Sequence, residues 1–183
     1  MIRYFYRSVI VLPALISLNL FLWSCNQSSQ EEIIFSESSD ADQNDSIPIP
    51  VTLGEQVIRY ATTLLNTPYK IAGKDSLGFD CSGFVSYVFK KYGVEVPSSS
   101  RHIARLGNKI SIEEAHPGDL VFFRGTDPNS TEVGHIGIVV SAQGEPIKFI
   151  HSSSAQASPY VKYDSLSKPN YNRRFIMVKR IID

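Results

Sequence analysis

An α+β domain is the fold class that this chain predicts, and three observations predict it. Two amphipathic helical stretches open the folded part. Five β-rich runs, separated by turn residues, fill its second half. Both helical stretches precede all five runs in the chain. Helices first and an antiparallel meander second imply N-terminal helices packed on a central antiparallel sheet of about five strands.

The first helix is expected from Thr52, because Thr52 and Glu55 have the spacing of a capping box. Leu53, Val57, Ala61, Leu64 and Leu65 then share one face. A second helix opens near Asp80–Cys81, with Asp80 as N-cap and Phe84, Val85, Val88 and Phe89 as the buried stripe. Gly93 is its stop. A short helical piece is expected over Arg101 to Leu106, ended by Gly107, and Ser111 with Glu114 forms a small capped turn before "HPGD". The strands follow as Asp119–Arg124, Val133–Val140, Ile147–Ser153, Tyr160–Tyr163 and Arg174–Ile182, with "AQGEP" as a hairpin turn between the second and third.

What precedes the domain has a different composition. Arg3 and Arg7 lie before an apolar run from Val9 to Trp23, which falls short of the roughly 20 apolar residues of a spanning helix and suits a signal-peptide core. It ends in "LWSC", a small residue before Cys25, which resembles the cleavage box of bacterial lipoproteins. That resemblance implies a signal peptide over 1–24, lipid on Cys25 and a membrane-anchored envelope protein. Asn26, where an inner-membrane retention signal would be Asp, points to the outer membrane. Residues 25–50 read as a disordered acidic linker. Six acids (Glu31, Glu32, Glu37, Asp40, Asp42, Asp45) and no Lys or Arg lie between Asn26 and Pro50. The formal charge of the 183 residues is zero. Setting aside the linker's six acids and the two arginines of the signal leaves the domain, 51–183, with 12 acids and 16 bases. That mild positive balance suits an anionic polymer and equally an ordinary solvated surface. No basic–aromatic cluster points to nucleic acid.

The chain has two cysteines. A lipidated Cys25 leaves Cys81 without a disulfide partner. Cys81 falls in the first turn of its helix, where unpaired amides and the helix dipole favour a thiolate. That position alone does not separate a reactive thiol from a packed one. Among the four histidines, His135 sits in "VGHIGIVV" with Gly134 before it and Gly137 on its own face of the strand, leaving room for a ligand or another backbone. His151, in "KFIHSS", falls on the next strand, within reach of His135. A thiol, a base and a group that orients the base form a nucleophilic relay. Packed structural histidines, or a zinc site without the usual ligand spacing, are the other readings of the same residues. His102 and His116 carry no expected role.

"TPYKIAG…GFDCSGFVSYVF", "PGDLVFF", "VGHIGIVV" and "FIHSSS" occur in the order and spacing of NlpC-type cell-wall cysteine peptidases, which are papain-like enzymes. The resemblance runs from about Leu53 to Ile181. It implies a papain-like fold, Cys81 as nucleophile, His135 as base and His151 as orienting residue. It also implies that Tyr69, Asp80 and Ser82 line the substrate pocket. The implied reaction cleaves peptidoglycan stem peptides at the γ-D-glutamyl–diamino acid bond, with no metal or other cofactor, in a protein expected to be a monomer. The chain departs from the family where Ala72 precedes Gly73 in place of a glycine pair. It departs again at "VPSSSRHIARLG", where Ser98 replaces an arginine and Ile103 lies near a glutamine position. Both touch the substrate pocket. A thiol amidase or esterase of the same fold and an inactive wall-binding lipoprotein are the alternatives.

Overall fold

Strand β4 (Leu120–Arg124) explains the layering. Leu120, Val121, Phe122 and Phe123 are all fully buried, so the sheet is covered on both faces. Alternation sends Leu120 and Phe122 into a core shared with the helices, and Val121 and Phe123 into a second core behind the sheet. The computed structural model describes residues 50–127 and 129–182. The expected signal segment, the lipidated Cys25 and nearly all of the linker lie outside them.

Helix α1 (Leu53–Thr62) begins at the expected capping box: the Glu55 amide donates to Thr52 Oγ1 at 3.2 Å and the Thr52 amide to Glu55 Oε2 at 2.8 Å. A two-stranded ribbon, β1 (Lys74–Asp75) and β2 (Gly78–Phe79), leads into α2 (Cys81–Lys90). Asp80 caps α2 by accepting from the Gly83 amide at 2.6 Å. Phe84, Val85, Val88 and Phe89 are fully buried, as their spacing requires. A short α3 (Ser100–Ile103) follows, then β3 (Asn108–Ile110), β4, β5 (Val133–Val139), β6 (Lys148–Ser152), β7 (Val161–Ser165), α4 (Pro169–Arg174) and β8 (Phe175–Arg180).

The sheet is antiparallel throughout and ordered β3-β8-β4-β5-β6-β7. Strands β4 to β7 form the expected meander, and β8 returns to flank β4. The sheet has six strands where about five were expected. The extra one is β3, which pairs with Val178–Arg180 at the edge. Its three residues are mostly exposed, so it has no apolar alternation to betray it. The β1–β2 ribbon and α4 are too short to show a period, and α3 ends at Ile103, before the expected Leu106.

Two close approaches position the start of α2. A Cβ on Gly83 would lie 2.0 Å from the carbonyl oxygen of Gly73, so only glycine lets the 70–73 turn press against the helix. The Asp80 amide donates to that same Gly73 carbonyl at 3.0 Å. On the other side, Ser152 Oγ donates to Phe79 O at 2.8 Å, tying β6 to the segment that enters α2.

Ala72 holds this turn with φ 55, a left-handed conformation that costs a non-glycine residue roughly 1–2 kcal/mol. Its side chain is exposed, so little packing is lost without it. Glycine carries an unfolded-state entropy cost of roughly 0.5–1 kcal/mol. Ala72→Gly is therefore expected to stabilise the domain and raise its Tm by about 2 °C in scanning calorimetry; an unchanged or lower Tm would show the turn to be unstrained.

Candidate active site

The second core holds a chain of polar groups at its centre. On β5 alternation puts His135, Gly137 and Val139 on this face, and on β6 it puts Phe149 and His151 there. The β5–β6 ladder pairs Ile138 with Ile150, which sets His151 opposite Gly137. A Cβ on Gly137 would come within 2.7 Å of the Phe149 ring and 3.3 Å of His151 Cβ. The glycine makes room for the second histidine. His135 Nε2 and His151 Nδ1 are then 2.8 Å apart, with the two rings perpendicular at 87°. Phe123, Phe149 and Tyr171 enclose the pair.

The chain continues to Asp164 on β7. Its Oδ2 lies 3.0 Å from His151 Nε2 and accepts from Tyr171 Oη, also at 3.0 Å. Lys162 stands 3.2 Å away and Lys168 closes on Oδ1. Asp164 is 1% exposed at the side chain, and burial alone would raise its pKa. Hydrogen bonds from His151, Lys168, Lys162 and Tyr171 outweigh that and hold the carboxyl far below its usual range. An ionised carboxylate only accepts, so the tautomers follow from the network. His151 carries its proton on Nε2 and presents a bare Nδ1. His135 donates from Nε2 to that atom and keeps an unprotonated Nδ1, the form a base needs. Burial, and the Arg174 charge nearby, keep both imidazoles below their ordinary pKa.

Asp164 and Tyr171 are the residues that sequence reading missed. The one local signal is an aspartate inside an otherwise β-prone run, "YVKYDS", where such a residue is disfavoured. Tyr171 lies on α4, six residues whose one local signal is Pro169 at the start.

Cys81 is a free thiol at the first turn of α2. The amides of Ser82, Ile136 and Cys81 itself point at the sulfur and favour the thiolate. Ile136 follows His135, so the thiol lies against the strand that carries the expected base. Sγ makes no hydrogen bond to an imidazole. The helix start was expected to ease deprotonation, and the outcome is the reverse. Burial and the adjacent Asp80 carboxylate outweigh the amides and push the thiol up to about 11.

Tyr69 lines the cleft of about 360 Å³ that also contains His135, His151, Ser153 and Arg174. Burial, with Cys81 and Asp80 close by, raises its pKa. Asp80 and Ser82 are joined instead to one another, Ser82 Oγ donating to Asp80 Oδ1 at 3.0 Å, and Ser82 is buried. His116 sits in a turn beside Asp119, and His102 is exposed on α3.

Known proteins resemble this chain over most of the domain. A family model described as "NlpC/P60 family" matches residues 66–180. A protein of Haemophilus influenzae described as "Probable endopeptidase" is 30% identical over 178 residues, covering 96% of this chain and 98% of the relative. A "Gamma-D-glutamyl-L-lysine dipeptidyl-peptidase" of Bacillus cereus is 31% identical over 140 residues, which are 76% of this chain and 39% of that one. The crystal structure of an NlpC/P60 family protein from Bacillus cereus superposes with a TM-score of 0.64 at 29% identity, over 74% of this chain and 42% of the other. This chain thus spans nearly all of the Haemophilus relative and less than half of each Bacillus cereus match.

Two outcomes follow from the charges. Asparagine caps a helix as well as aspartate does, so Asp80→Asn is expected to keep α2 and remove the charge that opposes the thiolate. Alkylation of Cys81 by iodoacetamide at pH 8 should accelerate severalfold; an unchanged rate would leave burial as the only brake. The buried imidazoles stay neutral while the unfolded chain takes up protons near pH 6.5. Their contribution to stability is complete above that pH and is lost as the pH falls towards their depressed folded values, by at most about 1.4 kcal/mol per unit for each ring. Tm should therefore fall between pH 7.5 and 5, and His135→Gln should flatten the fall. The Asp164 contribution is lost only below about pH 4, outside this window.

Proposed function

The chain belongs to the NlpC/P60 family, and from that membership and the geometry of its cleft we propose that it is a cysteine peptidase of peptidoglycan stem peptides. The target bond is the γ-D-glutamyl–diamino acid linkage, a reading supported by the name of the Bacillus cereus relative. The observation that carries the proposal is the hydrogen-bonded series His135–His151–Asp164, which leaves a bare imidazole nitrogen on the strand against which Cys81 lies.

The thiol is protonated at rest, so the reaction begins with general-base transfer and not with a standing thiolate. Cysteine has a single side-chain torsion to adjust in meeting His135. The thiol proton passes to His135 Nδ1 as sulfur attacks the carbonyl carbon. Charge on the carbonyl oxygen is met by the Cys81 amide at the helix start. Collapse expels the amine, which takes the proton back from His135. Water, deprotonated by the same nitrogen, then cleaves the thioester and regenerates the thiol. While His135 is an imidazolium, its Nε2 proton points at His151, and the Asp164 carboxylate balances the charge through that ring. Tyr69 lines the approach to the reacting carbonyl, and the Asp80 carboxylate, oriented by Ser82, receives a free amine of the substrate. Lipid on Cys25 and the acidic linker hold the domain at the envelope, on the outer membrane.

Digestion of purified sacculi, read by mass spectrometry, tests the reading. Wild-type protein releases cleaved stem peptides and Cys81→Ala releases none while keeping its melting temperature. Products that persist in the Cys81→Ala digest, or full inhibition by a chelator, sink the proposal. Asp164→Asn lowers kcat/KM by about tenfold or more, because an amide no longer compels His151 to carry its proton on Nε2. An unaffected rate would remove Asp164 from the series.

A further inference from the structure

Three arginines stand together at one end of the cleft, and among the described residues none of them is paired with a carboxylate. Arg124 ends β4, and Arg173 and Arg174 close α4. They line a recess of about 260 Å³ that is continuous with the cleft, because Gly125, Thr126, Asn170 and Arg174 border both. Main-chain oxygens hold the guanidinium groups in place. Arg124 Nη2 donates to Arg173 O, Arg174 Nη1 donates to Arg124 O at 3.4 Å, and Arg174 Nε donates to Asn170 O at 3.2 Å. The Arg174 guanidinium also lies 5.3 Å from the centre of the Tyr171 ring.

Arg180, also partly buried, by contrast bonds both oxygens of Asp119 at 3.0 Å. Among the described residues no Asp or Glu lies within 4.0 Å of Arg124, Arg173 or Arg174. Asp127, the one acid among the described residues that borders the recess, is exposed and accepts from the Asn129 amide. Arg174 is thus half-buried beside a like charge, and both circumstances depress its pKa. A guanidinium taken partly out of water without a counter-charge is costly, and its planar fork is shaped for a carboxylate. It borders the same cleft as His135 and His151, so the anion it fits belongs to the molecule being cleaved.

We infer that this recess is a carboxylate subsite: Arg174, backed by Arg124 and Arg173, binds a free carboxylate that the stem peptide carries next to the scissile bond. The inference rests on the peptidase reading above. Two carboxylates have this chemistry, the α-carboxylate of the D-glutamyl residue and an additional carboxylate on the diamino acid. A substrate in which the relevant one is amidated, or in which lysine replaces a carboxylated diamino acid, is discriminated against.

The test uses Cys81→Ala protein and three synthetic peptides, L-Ala–γ-D-Glu–diaminopimelate, its D-glutamyl α-amide and its L-lysine counterpart. Binding is measured by calorimetry, and cleavage of the same peptides is followed with the wild type. One of the two changes is expected to weaken binding about tenfold to a hundredfold, the range for a charge-assisted hydrogen bond left unmade, and which one identifies the carboxylate. In Arg174→Gln the difference disappears, and in Arg174→Lys it is partly retained. Should Arg174→Gln fail to fold, the exposed Arg173→Gln is expected to cut the difference severalfold. Equal binding of all three peptides, or a preference that survives Arg174→Gln, overturns the subsite. If the wild type cleaves none of them while Cys81→Ala still prefers the carboxylate, the peptidase reading fails and the subsite stands. Cleavage without any preference does the opposite.

Discussion

The buried carboxylate of Asp164 is the constraint from which the active-site arrangement follows. A charge so deeply buried persists only if its surroundings supply enough donors. Here His151, Tyr171, Lys162 and Lys168 do so. They come from β6, α4, β7 and the β7–α4 connection, so satisfying one carboxylate fastens four segments together. The same ionised oxygen dictates the proton position on His151, and through it the bare nitrogen on His135. Structural and chemical roles are here one set of hydrogen bonds. The aromatic enclosure of Phe123, Phe149 and Tyr171 keeps water from competing for them.

A second constraint pulls against the chemistry. Asp80 starts α2 by capping it, and the start of α2 is what places Cys81. Yet burial, with that carboxylate, raises the thiol's pKa. The helix dipole and three amides do not offset the two together. The site therefore keeps a neutral thiol and a neutral imidazole, and in the proposed reaction charge separates only at the moment of attack. In that proposal the Asp164 carboxylate is the anion that accompanies the transient imidazolium on His135. Burial, more than the Arg174 charge, keeps the pKa of both rings low and disfavours a standing positive charge there.

Much of this was legible in the chain. The capping box at Thr52, the apolar stripe of α2 and the alternation of β5 and β6 are local signals, and each came out in the structure. The adjacency of His135 and His151 was legible as well, because neighbouring strands of a meander with a tight turn leave few registers. What was not legible has no local period. The edge strand β3, the β1–β2 ribbon and α4 are each too short, and β3 is imposed by a partner far away in the chain, β8.

Asp164 and the three arginines show the same division at the level of single residues. An aspartate in a strand is a weak signal in one dimension, and a pair of arginines after "PNYN" is none. The sequence by itself determined the residue types, the helix that presents Cys81 and the strand faces on which the two histidines lie, because these depend on neighbours within a few positions. Only the tertiary structure decided that Asp164 and Tyr171 complete the histidine series, that the thiol is pushed up and not down, and that Arg124, Arg173 and Arg174 share one recess. Burial and charge proximity set these outcomes, and both are properties of the packed chain.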